Sequence, residues 1–239
     1  MEQNDFYASE RRAEQAGEFE SLSAYTAKTF LWMFLGLLVT FAVAFAGFAT
    51  GSLIYLLYYY PSSIMVLTIA ELAVVLILSA KINSLPVAAA RILFLVYAVL
   101  NGVFFSAYFV YFDLGSLILV FAATAVYFGA LAAYGYLTKT DLSRLRPILI
   151  SGLIFLLVFA LLSMFLPLDG MDRIVCLIGI AIFLGFTAYD TQKIKAYHAA
   201  FAGNPEMAKK ASIFSALQLY LDFINLFLYL LRFLGKKKN

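Results

Sequence analysis

Asp222 stands inside an apolar run, residues 211–234, where the chain reads Gln218-Leu-Tyr-Leu-Asp222-Phe-Ile-Asn225-Leu-Phe, and Asp190 closes the preceding run in Ala188-Tyr189-Asp190-Thr191-Gln192. An ionisable side chain in hydrocarbon is expensive, so it marks a functional site by default. Two carboxyl groups in contact there cannot both ionise cheaply and share one proton over an extended pH range, which is the chemistry of a proton sensor. Removing that proton leaves two like charges in a poorly solvated place, which separates them or draws in a cation. A hard cation with oxygen ligands, Ca²⁺ above all, suits carboxylates backed by the neutral oxygens of Gln218, Asn225 and Tyr189.

Plainer readings stand beside this one. Asp190 could reach water or pair with Lys193, and Asp222 could be a satisfied acceptor that fixes helix packing. Gln218 and Asn225 could be amide glue between helices, and Arg232 a side chain that snorkels from a helix end. Glu71, near the middle of the run 63–80, marks either an ion pathway or a neutral, hydrogen-bonded glutamate, with Asn101, Gly102 and Ser106 as candidate polar partners. His198, the only histidine, is expected to be solvated in the loop after Asp190, and Cys176 to be a buried packing residue. Neither offers a zinc site, since no second histidine or cysteine cluster accompanies them. No GxGxxG, Walker loop or GxSxG elbow occurs, so nucleotide-driven transport and serine hydrolysis have no support and no cofactor is expected.

The elements that must hold these residues follow from composition. The 239 residues are 64% hydrophobic and 13% charged, against roughly half and a quarter in soluble proteins. Seven apolar runs, 29–48, 63–80, 87–112, 116–137, 148–166, 173–192 and 211–234, each approach the length that spans a bilayer, about 20 residues for a helix. None alternates in polarity as a barrel strand would. The fold expected is all-α: a polar, partly disordered head over 1–28, a membrane domain over 29–235 and a basic tail over 236–239. Ser215, Gln218, Asp222, Asn225, Tyr229 and Arg232 recur three and four apart, which lays them along one face of a helix. That face cannot look at lipid, so the last helix belongs at the centre with the other six around it.

Orientation follows from where Lys and Arg fall. The head (Arg11, Arg12, Lys28), the connection with Lys81 and Arg91, the loop with Lys139, Arg144 and Arg146, and the loop 193–210 are basic, while the intervening connections are not. Six crossings with the head in the cytoplasm account for this. The net charge of +3 thus reads as membrane orientation, with no nucleic-acid partner. The last run ends in Arg232, Lys236, Lys237 and Lys238, which would also prefer the cytoplasm, yet no proline or glycine interrupts 211–234. One continuous helix is expected, and the side of its tail is left open.

The segments Ala188-Tyr189-Asp190-Thr191-Gln192-Lys193-Ile194 and Leu219-Tyr220-Leu221-Asp222-Phe223-Ile224-Asn225-Leu226-Phe227, with Leu230-Leu231-Arg232 and Lys139-Thr-Asp141-Leu-Ser, resemble the signature of the Bax inhibitor (transmembrane Bax-inhibitor-motif, or Lifeguard) family, and most of all its bacterial branch. The resemblance implies seven helices with the last one central, residence in a bacterial inner membrane, and a pH-sensitive calcium leak in which Asp190 and Asp222 form the paired sensor. It also implies a latch cation at the inner end of the second segment, where this chain offers only Lys81. Two alternatives remain. One is a non-conducting regulator that binds other membrane proteins, such as a quality-control protease. The other is an intramembrane aspartyl protease, which the bulky Leu219-Tyr220-Leu221 approach to Asp222 disfavours.

Overall fold

The computed structural model describes residues 20–82, 84–163, 165–166 and 169–238. Eight α-helices account for most of them: α1 Leu22–Thr50, a short α2 Ser52–Tyr59, α3 Ser62–Lys81, α4 Val87–Tyr111, α5 Leu114–Leu137, α6 Arg146–Leu162, α7 Asp172–Ala200 and α8 Pro205–Leu234. Seven spans, formed by all of these but α2, are long and apolar enough to cross a membrane, α6 doing so together with the 3-10 turn Leu142–Leu145 before it. The protein is therefore an all-helical, multi-pass membrane protein. Each expected segment is present, several with longer ends: the first begins at Leu22, the sixth runs on to Ala200 and the last starts at Pro205. Of the expected head, residues 1–19 lie outside the described residues, and from Leu22 the chain is already helical.

The helix ends are set by local chemistry. Ser21 accepts a hydrogen bond from the Ala24 amide at 3.2 Å, Asp113 from that of Ser116 at 3.1 Å, and Asn204 from that of Met207 at 3.0 Å, each satisfying an amide that the first turn leaves free. Pro205 then opens α8, where its missing N–H costs nothing.

Burial identifies the core. In α8, 17 of 30 residues are buried, against two of 20 in α3. The last helix packs chiefly on α1, α4, α5 and α7, while α3 rests on α4 and α6 on α7. Four helices thus make its main surround, with α3 and α6 outside them. Thr40 of α1 donates to the Ala98 carbonyl at 2.9 Å and meets the Tyr220 hydroxyl at 2.6 Å, tying α1, α4 and α8 together through one buried hydroxyl.

The tail fixes the course of α8. Asp113 N–H donates to the Lys236 carbonyl at 3.0 Å, Lys238 N–H to the Tyr111 carbonyl at 2.9 Å, and the Lys238 ammonium to the Phe109 carbonyl at 2.9 Å. A lysine at that point satisfies a carbonyl at the C-terminal end of α4 and complements its dipole. Residues 236–238 are therefore strapped to the α4–α5 connection. The other end of the bundle gathers Glu20, Lys28, Arg91 and Lys209. The last helix crosses the whole bundle without returning, and its tail lies at the end opposite Glu20.

Candidate ion and proton site

The polar stripe of α8 faces α7. Gln218 meets Lys193, Asp222 meets Asp190, Tyr229 stacks on Phe183 with centroids 5.8 Å apart, and Arg232 pairs with Asp172 at 2.7 Å. These are successive contacts of two antiparallel helices, so one face of α8 delivers all four groups to one neighbour. Arg232 holds a definite partner instead of simply reaching for water. A second interface presses α7 into place from behind. At Gly135 of α5 an added Cβ would overlap the Ala188 carbonyl oxygen, so only glycine lets the two backbones approach there. This contact lies two residues before Asp190.

Asp190 and Asp222 are 5% and 4% exposed, and their carboxyl groups lie within reach of each other. Two carboxyl groups so placed are compatible when one of them is protonated, since only that form can donate. Asp190 Oδ1 and Asp222 Oδ2 are fully buried, and no other group of the protein donates a hydrogen bond to either. Carboxyl oxygens at such depth are costly unless a proton or a cation is held between them.

Lys193 stands one turn along α7 from Asp190. Its ammonium lies 3.8 Å from Asp190 Oδ1, donates to Gln218 Oε1 at 3.3 Å, and sits over the rings of Tyr189, Tyr197 and Phe214 at 5.8, 5.2 and 5.9 Å. At 3.8 Å the charge contact is an ion pair too long for a hydrogen bond. Tyr189 therefore supplies a ring to the lysine's aromatic enclosure. Gln218 supplies its amide oxygen to the same ammonium. Lys81, by contrast, is exposed at the end of α3, and no ion pair joins it to either aspartate. The cation beside the pair is Lys193.

The remaining candidates separate from this cluster. Asn225 donates to the Leu221 carbonyl of its own helix at 2.8 Å. Glu71, on α3, lies apart from the pair, lining a cavity of about 490 Å³ with Thr68, Asn101, Tyr108 and Leu228, and its Oε1 is buried without a hydrogen-bond partner. Of its suggested partners only Asn101 shares that cavity. Ser106 bonds back to the Val103 carbonyl at 2.6 Å, and Gly102 packs on Thr40 and Val43 of α1. His198 requires a correction. It is 1% exposed and still within α7, its Nε2 is 2.7 Å from the Glu20 carbonyl oxygen, and its ring packs on Tyr25. The helix simply runs on past the apolar segment that the sequence marks. Cys176 is buried and free.

Two further residues brace the site. Gln192 accepts from the Leu142 amide at 2.9 Å and donates to the Thr140 carbonyl at 2.8 Å, clamping the 138–145 connection to α7. Lys195 donates to the Tyr136 carbonyl at 2.6 Å at the C-terminal end of α5. In the clamped connection Asp141 accepts from the Ser143 amide and hydroxyl, both at 2.9 Å, and these bonds hold its carboxyl below the usual range. No group of three or more His, Cys, Asp or Glu side chains suited to a metal occurs among the described residues.

Residues 22–239 match the family described as inhibitor of apoptosis-promoting Bax1. Inner membrane protein YbhL of Escherichia coli K12 is 38% identical over 218 residues, 91% of this chain and 93% of its own length. Uncharacterized proteins of Borreliella burgdorferi and Deinococcus radiodurans are each 35% identical, covering 90% and 91% of this chain and 93% and 92% of their own.

Proposed function

The chain belongs to the Bax inhibitor family, and from that premise we propose that it is a passive, proton-sensitive cation pathway of a bacterial inner membrane, with Ca²⁺ as its cargo and residues 1–28 on the cytoplasmic side. The observation that carries this reading is the meeting of the Asp190 and Asp222 carboxyl groups in the buried seam between α7 and α8. With one shared proton the pair holds a single negative charge, and the Lys193 ammonium at 3.8 Å balances it. That neutral cluster suits a closed, dry interior. Loss of the proton leaves one charge uncompensated, and a divalent cation entering between the carboxylates restores the balance while Lys193 withdraws among its rings.

The donor set suits passage more than storage. Ca²⁺ takes six to eight oxygens in a tight site, and two carboxylates with the Gln218 amide fall short of that. An ion held this loosely keeps part of its water and can leave. A regulator that binds other membrane proteins without conducting would need the same bundle but gives the buried carboxyl pair no role. Proteolysis is less compatible still, because the pair is enclosed between α7 and α8.

The proton and the cation compete for the same oxygens, which sets the sign of the pH effect on binding. Ca²⁺ affinity rises with pH, by about tenfold per unit where one proton is displaced. The test is purified protein in dye-loaded vesicles across pH 5 to 8, the range bracketing neutrality over which such a pair is asked to respond. Asp190→Asn and Asp222→Asn keep side-chain volume but remove the shared proton. Each should lower Ca²⁺ flux by about tenfold or more and flatten its pH dependence. Variants that leak as the parent does at every pH would rule the gate out.

A further inference from the structure

At the end of the bundle that holds Glu20, a cavity of about 340 Å³ opens between the first turns of α1, α4 and α8. Lys28, Arg91 and Lys209 line it, one from each helix, and Arg91 and Lys209 are each the fifth residue of theirs. Three cations from three helices therefore face one space near the N-terminal ends of those helices. The carboxylate that lines it, Glu20, is committed to Lys28 at 2.7 Å, and Glu206 pairs with Lys210 at 2.8 Å. Lys209 makes no ion pair with a described residue. Among the described residues, Arg91 and Lys209 are the two cations of the cavity left without an ion pair.

Two aromatic residues complete the site. Trp32 lies under the Arg91 guanidinium, 5.3 Å from ring centroid to Cζ, and Tyr25, 3% exposed, has a hydroxyl without a hydrogen-bond partner. Both line the cavity. Aromatic rings beside cations at the end of spanning helices occupy the headgroup level of a bilayer, where basic pockets between helices take anionic headgroups. We propose that this cavity binds the phosphate headgroup of an anionic phospholipid, its charge held by Lys28, Arg91 and Lys209 and its glycerol end against Trp32.

Trp32 is the chain's single tryptophan, so its fluorescence reports on this cavity alone. Full-length protein in phosphatidylcholine bilayers is titrated with phosphatidylglycerol carrying brominated chains, and in parallel with brominated phosphatidylcholine. Quenching by the anionic lipid should saturate at about tenfold lower mole fraction than quenching by the neutral one. The combined variant Lys28→Gln, Arg91→Gln, Lys209→Gln should abolish the difference, and Glu20→Gln, which removes the competing carboxylate, should widen it. Equal quenching by both lipids in the parent overturns the proposal, as does a preference that survives the combined variant. If soluble inorganic phosphate displaces the lipid at millimolar concentration, the site is one for free phosphate and the lipid assignment fails. If preference emerges only on removing residues 1–19, the chain's own acidic head fills the cavity and the assignment again fails.

Discussion

At the scale of single residues, Lys193 decides how the aspartate pair behaves. It supplies the positive charge that lets the pair stay ionised once without a metal, so it is a tethered competitor of any entering cation. Its side chain is a quarter exposed, which screens the contact and limits its strength. Lys193→Gln should therefore raise Ca²⁺ affinity at fixed pH by about tenfold, well below the full Coulomb energy of two charges at ~4 Å. Equilibrium titration with a Ca²⁺ indicator checks this, and an affinity that falls would give Lys193 a purely structural role. Asp141 behaves differently. Its lowered pKa means that whatever it contributes is present at neutral pH and lost only as pH falls through that lowered value, below the ordinary carboxylate range. The two aspartates of the pair stood out in the sequence because an ionisable group inside an apolar run is expensive, although each also had a plainer reading. The enclosure of Lys193 was not, since Phe214 reaches it from a different helix and only packing brings the rings together.

Among the elements, the α5–α7 contact places Asp190 at its depth. Gly135 lies against the Ala188 carbonyl, whereas Gly129, on the same helix, has open space beyond its Cα. Gly135→Val should destabilise the bundle by about 1 to 3 kcal/mol through overpacking, seen as a melting point lower by several degrees in detergent. Gly129→Val should leave it unchanged. Equal effects from both would mean that the close approach contributes nothing. The stripe on α8 was readable from spacing alone, because three-and-four periodicity defines a face whatever that face meets. Which helix it meets was not, and neither was the extension of α7 to Ala200, since the residues after Asp190 turn polar while remaining helical. His198 is buried as a consequence.

For the whole molecule, seven crossings put the two ends of the chain on opposite faces of the bundle. Cysteines at Lys28 and Lys237, in a Cys176→Ala background, should react with an impermeant maleimide from opposite sides of sealed cells or vesicles. Reaction of both from one side would require α8 to return, against its hydrogen-bonded tail. Composition and run length were enough to read seven helices, and charge placement enough for the first six crossings. The seventh was ambiguous because its basic tail obeys a local demand: Lys238 caps carbonyl groups at the end of α4.

That strap has a mechanical consequence. With residues 236–238 bonded to the α4–α5 connection, the central helix is anchored at its far end and cannot slide along its axis like a piston. Any movement that parts Asp222 from Asp190 is confined to tilting about this fulcrum, and the swing is widest at the end where Pro205 begins the helix.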